Sequence, residues 1–239
     1  MRLPARQVDV FPDFSRQANM TLLALDLFGT LVFAISGAFR AVKYELDILG
    51  VTVLAIATGV GGGIIRDLIL GQTPPAFFQN ESYFFICVVG ALLVFFWAPK
   101  IAKGWDYVLI ADAIGLGVFA AIGAYKAQQF GVGPVGIVMM AMLTAAGGGV
   151  IRDVLVSEIP AVLHTDFYVS AVIIGSVWFL LAGHWFQSEL FVLYSTIFLV
   201  VSLRFASMYF GFSLPRVKKL PKNPSTIANE RKQGRRSKP

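Results

Sequence analysis

The sequence predicts an all-α membrane protein with seven transmembrane helices, arranged as an inverted repeat of three helices in each half plus a seventh helix. Three observations lead to this fold class: an apolar composition, a set of long apolar segments, and a repeat at a constant offset. Hydrophobic residues make up 56% of the chain and charged residues 14%, and the mean hydropathy is +0.71. A soluble domain carries considerably more charge, so we expect a membrane protein.

Seven apolar segments approach or exceed the length that crosses a bilayer as a helix, which is about 20 residues. The predicted spans cover residues 21–39, 46–70, 83–98, 107–127, 132–156, 167–186 and 189–212. They divide the chain into five parts. These are an N-terminal extracytoplasmic segment (1–20), a first three-helix repeat (21–98), a second three-helix repeat (107–186), a seventh transmembrane helix (189–212) and a tail (213–239).

The tail after the last span is rich in Lys and Arg. Under the positive-inside rule this composition predicts a cytoplasmic C-terminus. Seven spans then place the N-terminus outside, in a multi-pass protein of the cell membrane. We expect the tail itself to be a flexible, solvated segment close to anionic membrane lipid.

Similar residues recur at an offset of 86 positions in the two halves of the chain. Asp26 matches Asp112 (112 − 26 = 86), and the clusters Gly-Gly-Gly-Ile-Ile-Arg-Asp and Gly-Gly-Gly-Val-Ile-Arg-Asp begin at Gly61 and Gly147. A constant offset across glycines, charges and prolines indicates an internal duplication. Each copy contains three spans, an odd number, so the second copy enters the membrane from the opposite face. Inverted repeats form transport paths where their halves meet.

The two glycine triplets lie inside the second and fifth predicted spans. Each glycine costs about 1 kcal/mol relative to alanine in a helix interior, so three in succession predict an interrupted, kinked helix whose free carbonyls face a cation path. The alternative is close helix packing through small residues. A threonine one turn before each triplet offers a neutral oxygen ligand. These predicted pore residues are Thr58, Gly61, Gly62, Gly63, Thr144, Gly147, Gly148 and Gly149.

An arginine and an aspartate follow each triplet. Neighbouring side chains on a helix point about 100° apart, so we expect each Arg-Asp pair to interact poorly within itself and to need other partners. Depth in the membrane predicts two pairs, Asp26 with Arg66 and Asp112 with Arg152. Charges inside the membrane face the bundle interior or water, so both a pore contact and a purely structural pair remain open. The aspartates of the two clusters themselves are Asp67 and Asp153.

Three further basic residues lie near the predicted spans. Arg204 in the seventh span has no counterpart in the repeat, and we expect a structural role, either by extending to the interface or by pairing with Asp112 or Asp153. Arg40 and Lys126 occupy equivalent ends of the first and fourth spans. They act as interfacial anchors, or alternatively bind lipid headgroups or control entry electrostatically.

Signatures of catalysis do not emerge from the sequence. It shows no nucleotide-binding loop, no nucleophile with a suitable base, and no metal-ligand spacing of His, Cys and acidic residues. We therefore expect no enzyme activity, no cofactor, no bound metal beyond transient K⁺ or Na⁺, and no nucleic-acid partner.

The duplicated Gly-Gly-Gly-x-x-Arg-Asp motif, the pattern of three, three and one spans, and the basic tail together resemble the prokaryotic branch of the trimeric intracellular cation (TRIC) channel family. The resemblance covers about residues 26–212 and implies a homotrimer in a prokaryotic inner membrane, with one pore within each subunit. It also implies a potassium-permeable monovalent cation channel whose kinks lie at the two triplets, beside Arg66, Asp67, Arg152 and Asp153.

Two other functions are compatible with the same sequence. Some bacterial members of this family look like small-solute carriers with glycine as the proposed substrate, and inverted repeats suit carriers as well as channels. A non-conducting membrane scaffold would use the glycines for packing alone. The sequence leaves the choice open.

Overall fold

The computed structural model describes residues 14–101, 106–164 and 167–211. These residues form seven long helices and two short ones: α1 Phe14–Lys43, α2 Ile48–Ile69, α3 Ala76–Gln79, α4 Ser82–Ile101, α5 Asp106–Gln129, α6 Pro134–Leu155, α7 Ala161–His164, α8 Tyr168–Trp185 and α9 Glu189–Phe210. The predicted second and fifth spans correspond to α2 and α6. The basic tail and the first 13 residues of the predicted N-terminal segment lie outside the described residues.

Local sequence explains several helix ends. The side chain of Asp47 accepts a hydrogen bond of 2.7 Å from the backbone N–H of Gly50 at the start of α2, as N-cap aspartates do. Pro134 opens α6, where its missing N–H carries no cost. Ser188 caps α9, and Gly211 ends it with a φ of +64°, in the left-handed region that glycine adopts readily.

The distribution of residues is that of a multi-pass membrane protein. Six helices, namely α1, α2, α5, α6, α8 and α9, are long and apolar enough to cross a bilayer, whereas the apolar stretch of α4, Ser82–Trp97, is shorter. Large apolar side chains cover the outside, for example Leu49 and Phe198. Inside, the largest fully buried side chains are those of Arg66, Arg152 and Arg204. Apolar residues outside and charges inside reverse the arrangement of a soluble protein.

The two halves of the chain pack alike. In the first half, α1, α2 and α4 all contact one another, and in the second half α5, α6 and α8 do the same. The halves meet through α2 against α6 and α1 against α5, and α9 packs on α5 and α8. Phe33 of α1 and Phe119 of α5, which are 86 positions apart, face each other with ring centroids separated by 5.2 Å. Equivalent residues thus contact each other where the halves meet.

Candidate functional site

The glycine triplets bring α2 and α6 into backbone contact at the centre of the molecule. A Cβ atom at Gly62 would lie 2.1 Å from the carbonyl oxygen of Thr144, and one at Gly148 would lie 2.2 Å from the carbonyl oxygen of Thr58. Real Cβ atoms do not approach backbone oxygens this closely, so only glycine fits at either position. The two contacts are reciprocal, because each triplet meets the carbonyl one turn before the other.

One expectation about this region needs correction. The structure shows α2 and α6 as uninterrupted helices through both triplets, so the predicted break is absent, because neighbouring helices cover the glycines and their helical hydrogen bonds persist. Close packing, the alternative interpretation, accounts for Gly62 and Gly148. The hydroxyl groups of Thr58 and Thr144 are fully buried and donate to the carbonyls of Leu54 and Met140 in their own helices. Their oxygens keep acceptor lone pairs, so their role as cation ligands stays a prediction.

A first charge cluster, formed by Asp26, Arg66, Asp67, Tyr83 and Lys126, lies where α2 ends. The guanidinium of Arg66 reaches Asp26 at 3.2 Å and donates to Asp67 at 2.8 Å. The hydroxyl of Tyr83 donates to the same oxygen of Asp26 at 3.1 Å. The predicted Asp26–Arg66 pair is therefore present. The expectation that Arg66 and Asp67 interact poorly is wrong, because the long arginine side chain bends back to its neighbour.

Lys126 enters this cluster from the other half of the chain. Its ammonium group lies 3.5 Å from Asp67 and 4.0 Å from Asp26. Two carboxylates thus face two cations, so the cluster is neutral overall. A cavity of about 10 Å³, roughly the space that one water molecule needs, adjoins Asp26, Arg66 and Asp67. Within the described residues, Nη1 of Arg66 is buried without a hydrogen-bond partner.

A second charge cluster, formed by Asp112, Arg152, Asp153, Tyr168 and Arg40, repeats this arrangement where α6 ends. Arg152 contacts Asp112 at 2.8 Å and Asp153 at 2.8 Å, which supplies the second predicted pair. A hydrogen bond joins the side chains of Tyr168 and Asp112, as Tyr83 is joined to Asp26. Arg40 lies 3.6 Å from Asp153. Arg40 therefore occupies the place that Lys126 takes in the first cluster, again from the opposite half.

The backbone contributes a further equivalent contact to each cluster. The N–H of Ala76 at the start of α3 donates to Asp67 at 3.0 Å, and that of Ala161 at the start of α7 donates to Asp153 at 2.9 Å. The two short helices therefore hold the second carboxylate oxygen of each aspartate. Ser36 distinguishes the clusters, because its hydroxyl accepts a hydrogen bond of 2.6 Å from Arg152.

The second cluster continues to the surface through Glu158. Its carboxylate accepts hydrogen bonds from Arg40 and Tyr44 and lies 3.5 Å from Lys43. Burial raises the pKa of Glu158, but the hydrogen bond from Tyr44 and the charges of Arg40 and Lys43 outweigh burial. The pKa of Glu158 therefore lies below its ordinary value, and the carboxylate stays ionised at neutral pH.

Arg204 of α9 lies beside the second cluster. It is buried, and its guanidinium sits 4.9 Å from the centre of the Tyr168 ring, within the range of a cation–π interaction. Because the side chain of Tyr168 is hydrogen-bonded to Asp112, the ring of Tyr168 connects α9, the seventh predicted span, to the second charge cluster. The contact with Tyr168 supports the structural role expected of Arg204, and its pairing with an aspartate stays a prediction.

Sequence reasoning missed several cluster members. Tyr83 and Tyr168 carried no signal beyond a near-repeat offset of 85 positions (168 − 83 = 85). Arg40 and Lys126 were visible as equivalent basic residues, but their interpretation as anchors did not foresee that each one contacts the other half. No group of three or more His, Cys, Asp or Glu side chains among the described residues is placed to hold a metal ion.

Comparisons with known proteins agree with this geometry. The family model described as glycine transporter matches residues 23–99 and 109–184. A UPF0126 membrane protein of Deinococcus radiodurans is 41% identical over 203 residues, which cover 82% of this chain and 92% of that protein. The two segments matched by the family model correspond closely to the two predicted repeats, residues 21–98 and 107–186.

Solved structures of TRIC channels also resemble this chain. The TRIC trimeric intracellular cation channel orthologue from Rhodobacter sphaeroides matches with a TM-score of 0.77 and 35% identity, over 81% of this chain and 100% of that chain. A second solved structure, of a TRIC cation channel, matches with a TM-score of 0.76 and 37% identity, over 83% of this chain and 98% of that one. The chain therefore belongs to the family that comprises the prokaryotic TRIC channels and the UPF0126 membrane proteins.

Proposed function

We propose that the chain is a monovalent cation channel, permeable to potassium, with a conduction path along the α2–α6 contact in each subunit. The observation that carries this proposal is the pair of buried, neutral charge clusters at the two ends of that contact. Charged side chains inside a membrane are costly and mark ion paths. The similarity to solved TRIC cation channels supports the same function.

The proposed architecture is an inverted repeat of three spans in each half, followed by α9. Reciprocal contacts support it: Gly62 meets Thr144 while Gly148 meets Thr58, and Phe33 meets its own equivalent, Phe119. A two-fold axis produces such reciprocal contacts, because it exchanges each residue of one half with its equivalent in the other half. An odd number of spans in each half would place this axis in the membrane plane.

Family membership and the distribution of charges support a proposed assembly and orientation. The relative from Rhodobacter sphaeroides is trimeric, and we propose a homotrimer surrounded by membrane lipid, with one path in each subunit. The basic tail supports a proposed cytoplasmic C-terminus in a prokaryotic cell, with the N-terminus outside. The first cluster would then face the outer side, and the second cluster the cytoplasm.

Planar-bilayer recording of the purified chain tests the channel directly. We expect unitary potassium currents with weak discrimination among monovalent cations, because the sequence contains no repeated carbonyl filter. Under a potassium chloride gradient the reversal potential should lie near the potassium equilibrium value. A reversal at the chloride value would reject cation conduction.

Threonine variants test where the path runs. Thr58→Val and Thr144→Val remove the buried hydroxyl oxygens beside the crossing while keeping the side-chain shape, so we expect lower unitary potassium conductance. Thr52→Val is the matched control, because Thr52 lies in α2 and makes the same type of hydrogen bond, 2.8 Å to Ile48, outside the crossing. Equal conductance in all three variants would place the path elsewhere.

A glycine carrier is the second candidate, favoured by the description of the matching family and by the closed crossing at Gly62 and Gly148. A carrier needs a central site that is closed to at least one side at any time, as backbone contact there would provide. Proteoliposomes distinguish the two functions: radiolabelled glycine uptake without current favours the carrier, and current without glycine uptake favours the channel. The cavity beside the first cluster is about 10 Å³, which suits an ion or water better than glycine.

A further inference from the structure

A larger cavity lies apart from the α2–α6 contact, where α5 and α8 end and α9 begins. It has a volume of about 360 Å³, and none of its lining residues belongs to either charge cluster. Its floor is formed by Tyr125, Phe179 and Val192, all of them buried. Small-molecule sites have volumes of this order and combine an apolar floor with a few polar groups.

Glu189 is the single charged residue among those that line the cavity. Its Oε2 atom accepts a hydrogen bond of 2.9 Å from the hydroxyl of Tyr125, so the carboxylate is held by a buried partner. Glu189 lies in the first turn of α9, where the helix dipole favours an acidic residue. The dipole explains a carboxylate at this position, but it explains neither the cavity in front of it nor the tyrosine that orients it.

The remaining polar groups are carboxamides. Gln128, Gln129 and Gln187 line the mouth of the cavity and offer carbonyl oxygens to a hydrogen-bond donor. Phe186, partly exposed at the same mouth, adds a second phenyl ring to that of Phe179. A carboxylate, carbonyl oxygens and aromatic faces are the groups that attract a cation with N–H donors.

We propose that this cavity binds a primary ammonium group, carried by a small soluble amine or by the headgroup of an ammonium-bearing lipid. The ammonium contacts Glu189, and its hydrocarbon part lies against Phe179 and Val192. Anions are disfavoured, because Glu189 is the only charged residue among the described residues that line the cavity. The site is separate from the proposed conduction path, so its test uses equilibrium binding rather than current.

Calorimetry on the full chain in phosphatidylglycerol nanodiscs provides the test, with butylammonium as ligand and butanol as its neutral counterpart. We expect saturable binding of butylammonium only, weakened at least tenfold in Glu189→Gln. Glu81→Gln is the matched control, because Glu81 is an exposed acid that precedes α4 and does not line the cavity. Equal binding of butanol and butylammonium, or no binding of butylammonium, would overturn the proposal.

A second variant blocks the cavity without removing the charge. A Cβ atom at Gly183 meets nothing within 4 Å, so Gly183→Leu should fold and should abolish butylammonium binding by filling the mouth. Gly133→Leu has equally open space but lies away from the cavity and should bind normally. Unchanged binding in Gly183→Leu would contradict the proposed location.

Phosphatidylethanolamine nanodiscs distinguish the two sources of the ammonium group. If the lipid headgroup occupies the cavity, butylammonium should bind in phosphatidylglycerol and lose most of its apparent affinity in phosphatidylethanolamine. If the natural ligand is soluble, butylammonium should bind equally in both lipids. Either result supports an ammonium site, whereas the absence of binding in both lipids refutes it.

Discussion

At the scale of single residues, buried arginines explain why the aspartates of the two clusters are needed. Arg66 and Arg152 are almost fully inaccessible, and their charges are compensated within a few ångströms. Removing one partner of a buried ion pair leaves an uncompensated charge and costs about 3 to 5 kcal/mol. We therefore expect each aspartate to contribute to stability, independently of any contribution to conduction.

Asp26→Ala should destabilise the protein more than Asp112→Ala. In the first variant Arg66 keeps only Asp67, whereas in the second Arg152 keeps both Asp153 and the hydroxyl of Ser36. We expect a loss of about 3 to 5 kcal/mol for Asp26→Ala and a smaller loss for Asp112→Ala. Thermal unfolding followed by size-exclusion chromatography measures both, and the opposite order would show that Ser36 does not compensate.

Glu158 gives the second cluster a dependence on pH. The pKa of Glu158 is lower in the folded protein than in the unfolded chain, where it is about 4.3. The ionised carboxylate therefore contributes fully to the free energy of unfolding above the unfolded-state pKa. This contribution is lost as the pH falls through the pKa of the folded state. Glu158→Gln should lower the melting temperature at pH 7, because it removes less than about 1 kcal/mol from the free energy of unfolding, as expected for a partly exposed ion pair.

The melting temperatures of Glu158→Gln and of the parent protein should converge as the pH falls below the unfolded-state pKa and through the lowered pKa of Glu158. Glu45→Gln is the control, since Glu45 is an exposed acid just after the end of α1. This substitution should change the melting temperature little at any pH. If the melting temperatures of Glu158→Gln and the parent protein differed by the same amount at every pH, ionisation of Glu158 would be excluded as the cause of the difference.

At the scale of elements, the α2–α6 contact depends on a single face of each glycine triplet. A methyl group at Gly62 collides with the carbonyl of Thr144, whereas one at Gly63 finds its nearest neighbour, the guanidinium of Arg66, at 3.6 Å. The three consecutive glycines are therefore not equivalent. Only those that face the other helix are required for packing.

Gly62→Ala should separate α2 from α6 and destabilise the protein, by about 1 to 3 kcal/mol as overpacked sites do. Gly63→Ala should be tolerated or stabilising by up to about 1 kcal/mol, because alanine is the better helix former. Melting temperatures of the two variants measure the difference. Equal losses would mean that both glycines serve a bend in the helix rather than the contact.

At the scale of the whole molecule, inversion of the halves makes a prediction about sidedness. Thr73 and Ile159 are equivalent positions (159 − 73 = 86), both exposed in the segments that follow α2 and α6. If the halves are inverted, single cysteines at these positions must lie on opposite faces of the membrane.

Labelling of intact cells with a membrane-impermeant maleimide measures this sidedness. Thr73→Cys should react from outside and Ile159→Cys only after lysis. The parent chain is the control, because Cys87 is buried and should stay unlabelled in both cases. Reaction of both variants from the same side would contradict the inverted repeat.

Much of the fold could be predicted from the sequence because the membrane restricts the secondary structures that can span it. Helices that satisfy their own backbone hydrogen bonds are the main solution in lipid, so the apolar segments predicted the helices of each half. Charges are rare enough there that the Asp26–Arg66 and Asp112–Arg152 pairs could be predicted from depth alone. The interrupted helix was predicted wrongly, because the cost of glycine in an isolated helix ignores the helix packed against it.

The sequence by itself determined the helical membrane class, the duplication and the identity of the buried charges, because hydropathy and a constant offset are local or additive properties of the chain. Only the tertiary structure decided that Lys126 joins Asp67 and that Arg40 joins Asp153, and that Gly62 faces Thr144. These contacts join residues of opposite halves, and their geometry depends on how α1, α2, α5 and α6 cross one another. No property of either half alone specifies that crossing.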